Sequence, residues 1–92
     1  MAESLNDDEI ESRLKRSDWE REGDWIAREW RFDGFSEAIE FVDAVAEVAE
    51  DSSIHPDICV HGWNKVKLWL ATQGAGGVTE EDFALADQID RL

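Results

Sequence analysis

The chain has 92 residues, of which 23 are acidic and 9 basic, for a net charge of −14. A length of this order fits one domain, residues 1–92, with a modest core that gains from association with further copies. Five tryptophans and four phenylalanines exclude a disordered chain, and the acidic surplus opposes binding to nucleic-acid phosphates or to anionic membrane surfaces.

The same surplus reads as adaptation to a salt-rich cytoplasm, because self-repulsion fades when the screening length falls to about 3 Å at 1 M salt. The plainer reading is an acidic protein without a salt requirement. Cys59 is the single cysteine, which rules out an internal disulfide and fits a reducing compartment. The start Met1-Ala2-Glu3-Ser4 has neither the basic region nor the apolar run of a leader. No apolar stretch reaches the roughly 18 residues that a membrane span requires.

Asn6 or Asp7 can cap a first helix that runs to about Arg16, with Ile10 and Leu14 one turn apart. Trp19 to Glu22, a Gly23-Asp24 turn and Trp25 to Phe32 then read as a hairpin. Within it Trp30 and Phe32 alternate properly, but Arg28 interrupts the apolar face of Ile26. Asp33-Gly34 ends the strand.

From Phe35 to Glu50 the residues Phe35, Ile39, Val42, Val45 and Ala49 follow a helical period, with Glu37, Glu40, Asp43 and Glu47 outside. Pro56 stops this helix and pushes His55 into an extended conformation. Ile58 to Trp63 and Lys65 to Thr72 predict two more strands. In the second, Val66, Leu68 and Leu70 face one way while Lys67, Trp69 and Ala71 face the other.

Gly74 to Gly77 form a loop, and Thr79 starts the last helix with Asp82 at the capping-box position. The order α-β-β-α-β-β-α leaves no room for crossovers inside each strand pair. The fold is therefore α+β, a two-layer sandwich whose four-stranded, mainly antiparallel sheet carries three helices on one face.

Two side chains, His55 and His61, titrate near neutrality without help. His55 stands where a helix stops and a strand begins, a place from which a side chain can reach a cleft. His55, Asp57, Cys59 and His61 alternate along one strand face, about 6.6 Å between neighbours. One ion could take two of them but not all four, so a polar strand face is preferred and no metal is assigned. The glycine loop lacks the lysine and spacing of a phosphate-binding loop.

Glu50, His55-Pro56, Trp63 and Asp82 together resemble the motif of the pterin-4a-carbinolamine dehydratase family. Its members carry an acid, a His-His-Pro run after three residues, then an aromatic, a third histidine and an aspartate, all at spacings that this chain keeps. Trp63-Asn64-Lys65-Val66 is similar to the family's Tyr-Asn-Lys-Val. Ala75 to Phe83 is similar to its segment entering the last helix. Asp18-Trp19-Glu20 and Phe35-Ser36-Glu37-Ala38-Ile39 extend the resemblance over nearly the whole chain. Two positions depart from it: Ile54 stands for the first histidine and Gln73 for the third.

The resemblance implies dehydration of a 4a-hydroxytetrahydropterin to the quinonoid dihydropterin, with the pterin as substrate and no cofactor. His55 would donate a proton to the leaving hydroxyl, with Glu50 and Asp82 orienting or substituting. Ile54, Pro56, Trp63 and Gln73 would contact the ring. Loss of two acid–base groups implies a slower reaction, since each is worth about 10²–10⁴ in rate. The alternative is a pterin-binding or protein-interaction module without turnover, because animal relatives also serve as dimerisation partners of a transcription factor. Family members pair as homodimers or homotetramers.

The charge balance makes one expectation directly measurable. Thermal melts from low salt to several molar KCl are expected to show a rising midpoint, whereas a flat midpoint removes the halophilic reading.

Overall fold

A computed structural model describes residues 3–92. Met1 and Ala2, part of the start in which no leader is expected, lie outside the described residues. Seven elements follow in the predicted order: α1 (Asp7–Leu14), β1 (Glu20–Glu22), β2 (Trp25–Arg31), α2 (Phe35–Glu50), β3 (Asp57–His61), β4 (Lys65–Leu70) and α3 (Glu80–Asp90). The strands form one sheet in the order β1-β2-β4-β3, and every neighbouring pair is antiparallel.

α1 begins with a full capping box. The Asn6 side chain accepts from the Glu9 N–H at 2.9 Å, and the Glu9 carboxylate accepts from the Asn6 N–H at 3.0 Å. The helix ends at Leu14, two residues short of Arg16, because no further apolar residue anchors another turn. Instead the Ser17 N–H bonds the Leu14 carbonyl, and the Ser17 hydroxyl accepts from the Trp19 N–H.

Sheet register explains the core. Ile26 pairs with Leu70, and Ile58 with Leu68, so these side chains share the face covered by the helices. Val66, Leu68 and Leu70 are fully buried there, as the alternation of β4 predicts. Arg28 does lie on that face, between Ile26 and Trp30, and it is accommodated by charge. Its guanidinium donates to Asp90 at 2.7 Å, lies 3.5 Å from Asp18 and stacks 4.7 Å from the Trp30 ring. Trp19 donates its indole N–H to the same Asp90, at 3.0 Å. An arginine can therefore interrupt an apolar stripe where the end of a helix supplies a carboxylate.

The buried face of α2 is rotated from the predicted one. Ala38, Val45 and Ala49 meet the sheet, with Phe41, Val42 and Val48 partly buried beside them. Phe35 is 56% exposed and Ile39 37% exposed. At 3.6 residues per turn they sit about a quarter turn or more to the side of Val45. Small residues let the helix approach closely, and Phe41 fills the flank against Trp30 and Phe32, with centroids 4.8 and 5.1 Å away.

β3 and β4 are shorter than predicted. The turn between them contains Gly62 and Trp63, both with positive φ, and Trp63 points into solvent at 61% exposure. β4 stops at Leu70, and Thr72 then bridges to Gly77 around the glycine loop. Among the described residues, no helix is long and apolar enough to cross a membrane.

Candidate active site

Antiparallel order places the start of β2, the end of β4 and the entry to β3 at one end of the sheet. A cleft of about 320 Å³ opens there, lined by Trp25, Ser53, Ile54, His55, Pro56, Asp57, Ala71, Thr72 and Gln73. It continues past Trp25, Thr72 and Gln73 along the glycine loop, which lines a further space of about 220 Å³. No lysine or arginine lines either part.

Each wall has a local cause. After α2 ends, the Ser52 hydroxyl accepts from the Ile54 N–H at 2.9 Å, and the Ser53 hydroxyl donates to Glu81 on α3 at 2.8 Å. Ile54 is 4% exposed and joins the core. The loop is thus pinned from below and from the side, and His55 stays exposed above it. Across the cleft, the Thr72 N–H bonds the Gly77 carbonyl at 3.0 Å, while Gly74 and Gly76 adopt positive φ. That left-handed backbone is cheap for glycine, and it turns the chain back so that Gln73 faces the loop of His55.

Four of the seven residues expected at the site, Ile54, His55, Pro56 and Gln73, therefore meet in one cleft. Three do not line it. Glu50 closes α2 and is exposed. Trp63 lies beyond the far end of β3, roughly 17 Å or more of strand away. Asp82 is completely buried.

The surroundings of Asp82 are unusual. Its Oδ2 accepts from the Thr72 hydroxyl at 2.8 Å and from the Thr79 N–H at 2.8 Å, and lies 3.3 Å from the Thr79 hydroxyl, which is also 2.8 Å from that of Thr72. Oδ1 is buried with no hydrogen-bond partner. Burial holds the carboxyl above its ordinary 3.8, against the lowering effect of those donors.

Trp25 and Thr72 line the cleft without having been expected there. The pairing Ile26↔Leu70 is what carries Trp25 to the neighbourhood of Ala71 and Thr72. That pairing joins strands separated by a helix and another strand. The alternating face of His55, Asp57, Cys59 and His61 divides instead: His55 and Asp57 line the cleft, whereas His61 pairs with Glu29 at 2.6 Å.

The cleft thus offers the imidazole of His55, the carboxylate of Asp57, the carboxamide of Gln73, the hydroxyls of Ser53 and Thr72, each tied to a carboxylate of α3, and the indole of Trp25. The profile described as pterin 4 alpha carbinolamine dehydratase matches residues 3–92. The chain belongs to that family. A relative in Roseiflexus castenholzii is 47% identical over 93 residues, covering 100% of this chain and 99% of its own. One in Natronomonas pharaonis is 38% identical over 92 residues, covering 100% and 98%. Both bear the name "Putative pterin-4-alpha-carbinolamine dehydratase". The fold agrees with a crystal structure of a transcriptional coactivator/pterin dehydratase from Brucella melitensis, with TM-score 0.87, 30% identity and 96% of each chain covered. The cleft holds Ile54, His55, Pro56 and Gln73, the positions that the resemblance likens to the His-His-Pro run and the third histidine.

Asp82 gives this site a pH signature. Because its folded pKa is raised, the native chain binds that proton more readily than the unfolded chain does. Its contribution to stability therefore falls as pH rises from 3.8 through the folded value. In thermal melts, the midpoint of Asp82→Asn minus that of the unmodified chain is expected to be largest at neutral pH. It should shrink as pH falls, and a difference that ignores pH counts against a raised carboxyl.

Proposed function

We propose that the chain removes water from a 4a-hydroxytetrahydropterin, giving the quinonoid dihydropterin, in the cleft around His55. The observation that carries this reading is the convergence of His55, Pro56 and Gln73 with Trp25 in one pocket of a family member. Its volume of about 320 Å³ is within the roughly 300–1,000 Å³ of small-molecule sites. Trp25 and Pro56 wall a flat ring, and Gln73 hydrogen-bonds its edge.

One imidazole serves both halves of the reaction in turn. Protonated His55 gives its proton to the 4a-hydroxyl as the C4a–O bond breaks, and water leaves. The neutral ring then takes the N5 proton as the C4a–N5 double bond forms, which restores the imidazolium. Proton transfer through a single group is slower than through separate partners, and Ile54 and Gln73 supply none.

A direct dehydration assay with a synthetic 4a-hydroxypterin at several molar KCl tests this reading. His55→Ala is expected to lower the rate by about 10²–10⁴-fold. Gln73→His adds an imidazole to the exposed wall without disturbing Ile54 in the core, and is expected to raise the rate by about 10²-fold. The second reading, a pterin-binding or protein-interaction module without turnover, is favoured by those same two side chains. Binding without dehydration in both the unmodified chain and Gln73→His selects it.

The proposed assembly is a homodimer or homotetramer in a salt-rich cytoplasm. Exposed Phe35 and Ile39 on α2 support it, since their burial against another copy adds to a small core. Light scattering at high salt should give a multiple of 10.5 kDa. Phe35→Glu with Ile39→Glu should lower it, and a monomeric unmodified chain removes the proposal.

A further inference from the structure

We propose that Asp82 serves the cleft through Thr72, as a positioning pair. The buried carboxylate takes the single hydroxyl hydrogen of Thr72 and leaves that oxygen able only to accept a hydrogen bond from the bound pterin. This rests on the function proposed above and assigns to Asp82 a part that needs no contact with substrate.

The hydrogen assignment follows from three distances. Thr72 Oγ1 lies 2.8 Å from Asp82 Oδ2 and 2.8 Å from Thr79 Oγ1, whereas Thr79 Oγ1 lies 3.3 Å from the carboxylate. Each hydroxyl has one hydrogen and two lone pairs. The shorter contacts are both satisfied when Thr79 donates to Thr72 and Thr72 donates to Asp82. One lone pair of Thr72 then remains, and Thr72 lines both parts of the cleft.

An N–H of the ring, or the 4a-hydroxyl, can meet that lone pair. A ring carbonyl or an unprotonated ring nitrogen placed there is repelled, because two acceptors face each other without a hydrogen. The pair therefore sets which edge of the pterin lies deep in the cleft, and with it which ring atom faces His55.

Helix capping alone does not account for this arrangement. A carboxylate three residues into α3 explains the bond from the Thr79 N–H. It does not require a further bond from Thr72, two residues past the end of β4, nor complete burial with Oδ1 unpartnered. Of the surrounding charges, Glu81 of the same helix adds to the upward push on Asp82. The other ionisable groups along the cleft are His55 and Asp57 at the entry to β3 and Asp24 in the turn before β2.

When Asp82 takes up a proton, Oδ2 still accepts but loses the charge that strengthens its bond from Thr72, and the Thr72 acceptor is held less firmly. Binding should therefore weaken on the acid side. Calorimetric titration with a stable 7,8-dihydropterin at high salt, from neutral pH downward, reads this effect. Thr72→Val is expected to weaken neutral-pH binding about tenfold, the cost of one unmade hydrogen bond, and to lose the acid limb that Asp82 causes. Thr72→Ser should stay within about twofold, since it keeps the hydroxyl. Asp82→Asn keeps an accepting oxygen without the charge, and should bind at every pH about as weakly as the unmodified chain does at the acid end, with the same limb lost.

The ¹³C-methyl signal of Thr72 supplies a reading that needs no ligand. It should follow the Asp82 titration in the unmodified chain and not in Asp82→Asn. A limb that survives unchanged in both Thr72→Val and Asp82→Asn, or a Thr72 methyl that ignores Asp82, overturns the pair. If no variant binds the dihydropterin while the methyl still follows Asp82, the pterin reading falls and the coupling stands.

Discussion

The pairing of β2 with β4 is the constraint on which the rest of this structure depends. It joins two strands that are separated in the chain by α2 and β3, and it brings Ile26, Leu68 and Leu70 together beneath the helices. A central pair of this kind forms only after a long loop closes, so its cost must be met by burial of those side chains. Once it is formed, the beginning of β2 and the end of β4 share one end of the sheet. The cleft is a by-product of that register: a slip by one residue would turn the buried face of the slipped strand outward and would shift Trp25 relative to Thr72.

Around this frame, the cleft is finished by short-range devices. Pro56 and the Ser52 hydroxyl set the path of the chain after α2, Ile54 anchors it in the core, and Ser53 ties it to Glu81. On the other wall two left-handed glycines reverse the chain after Gln73. The charge on Asp82 is the exception to local economy. A fully buried carboxyl with one orphaned oxygen costs free energy, which the donors around its other oxygen offset in part. Its position beside Thr72 is the physical reason to look for a use in the cleft as well as in the helix cap.

Much of this was legible in the sequence. All seven elements, their order and the alternation of β4 follow from periodicity, and α2 matches its predicted bounds. The chain's punctuation, Asn6, Gly23, Pro56 and Thr79, acts through local backbone chemistry and so reads directly. The facing of α2 did not, because several adjacent positions on that helix are apolar and the choice among them is made by Phe41 packing on Trp30 and Phe32. Arg28 looked like a break in a strand because its partners, Asp90 and Asp18, lie far away in the chain. The site was half legible for the same reason. His55 and Gln73 are fixed by motif spacing, whereas Trp25 and Thr72 enter through strand register. Trp63 and Glu50 keep the spacing of the motif and yet stand outside the cleft of their own chain.

The sheet is open at both sides, where β1 has three residues and β3 five. Exposed strand edges recruit other strands, and charged side chains are among the usual deterrents. In a medium salty enough to calm a net charge of −14, that deterrent is itself screened. What then guards the β1 edge is its shortness: three residues offer few backbone groups to template a lasting ladder. Lengthening β1 to the span of β3 would give up this geometric protection in any medium where charge is screened.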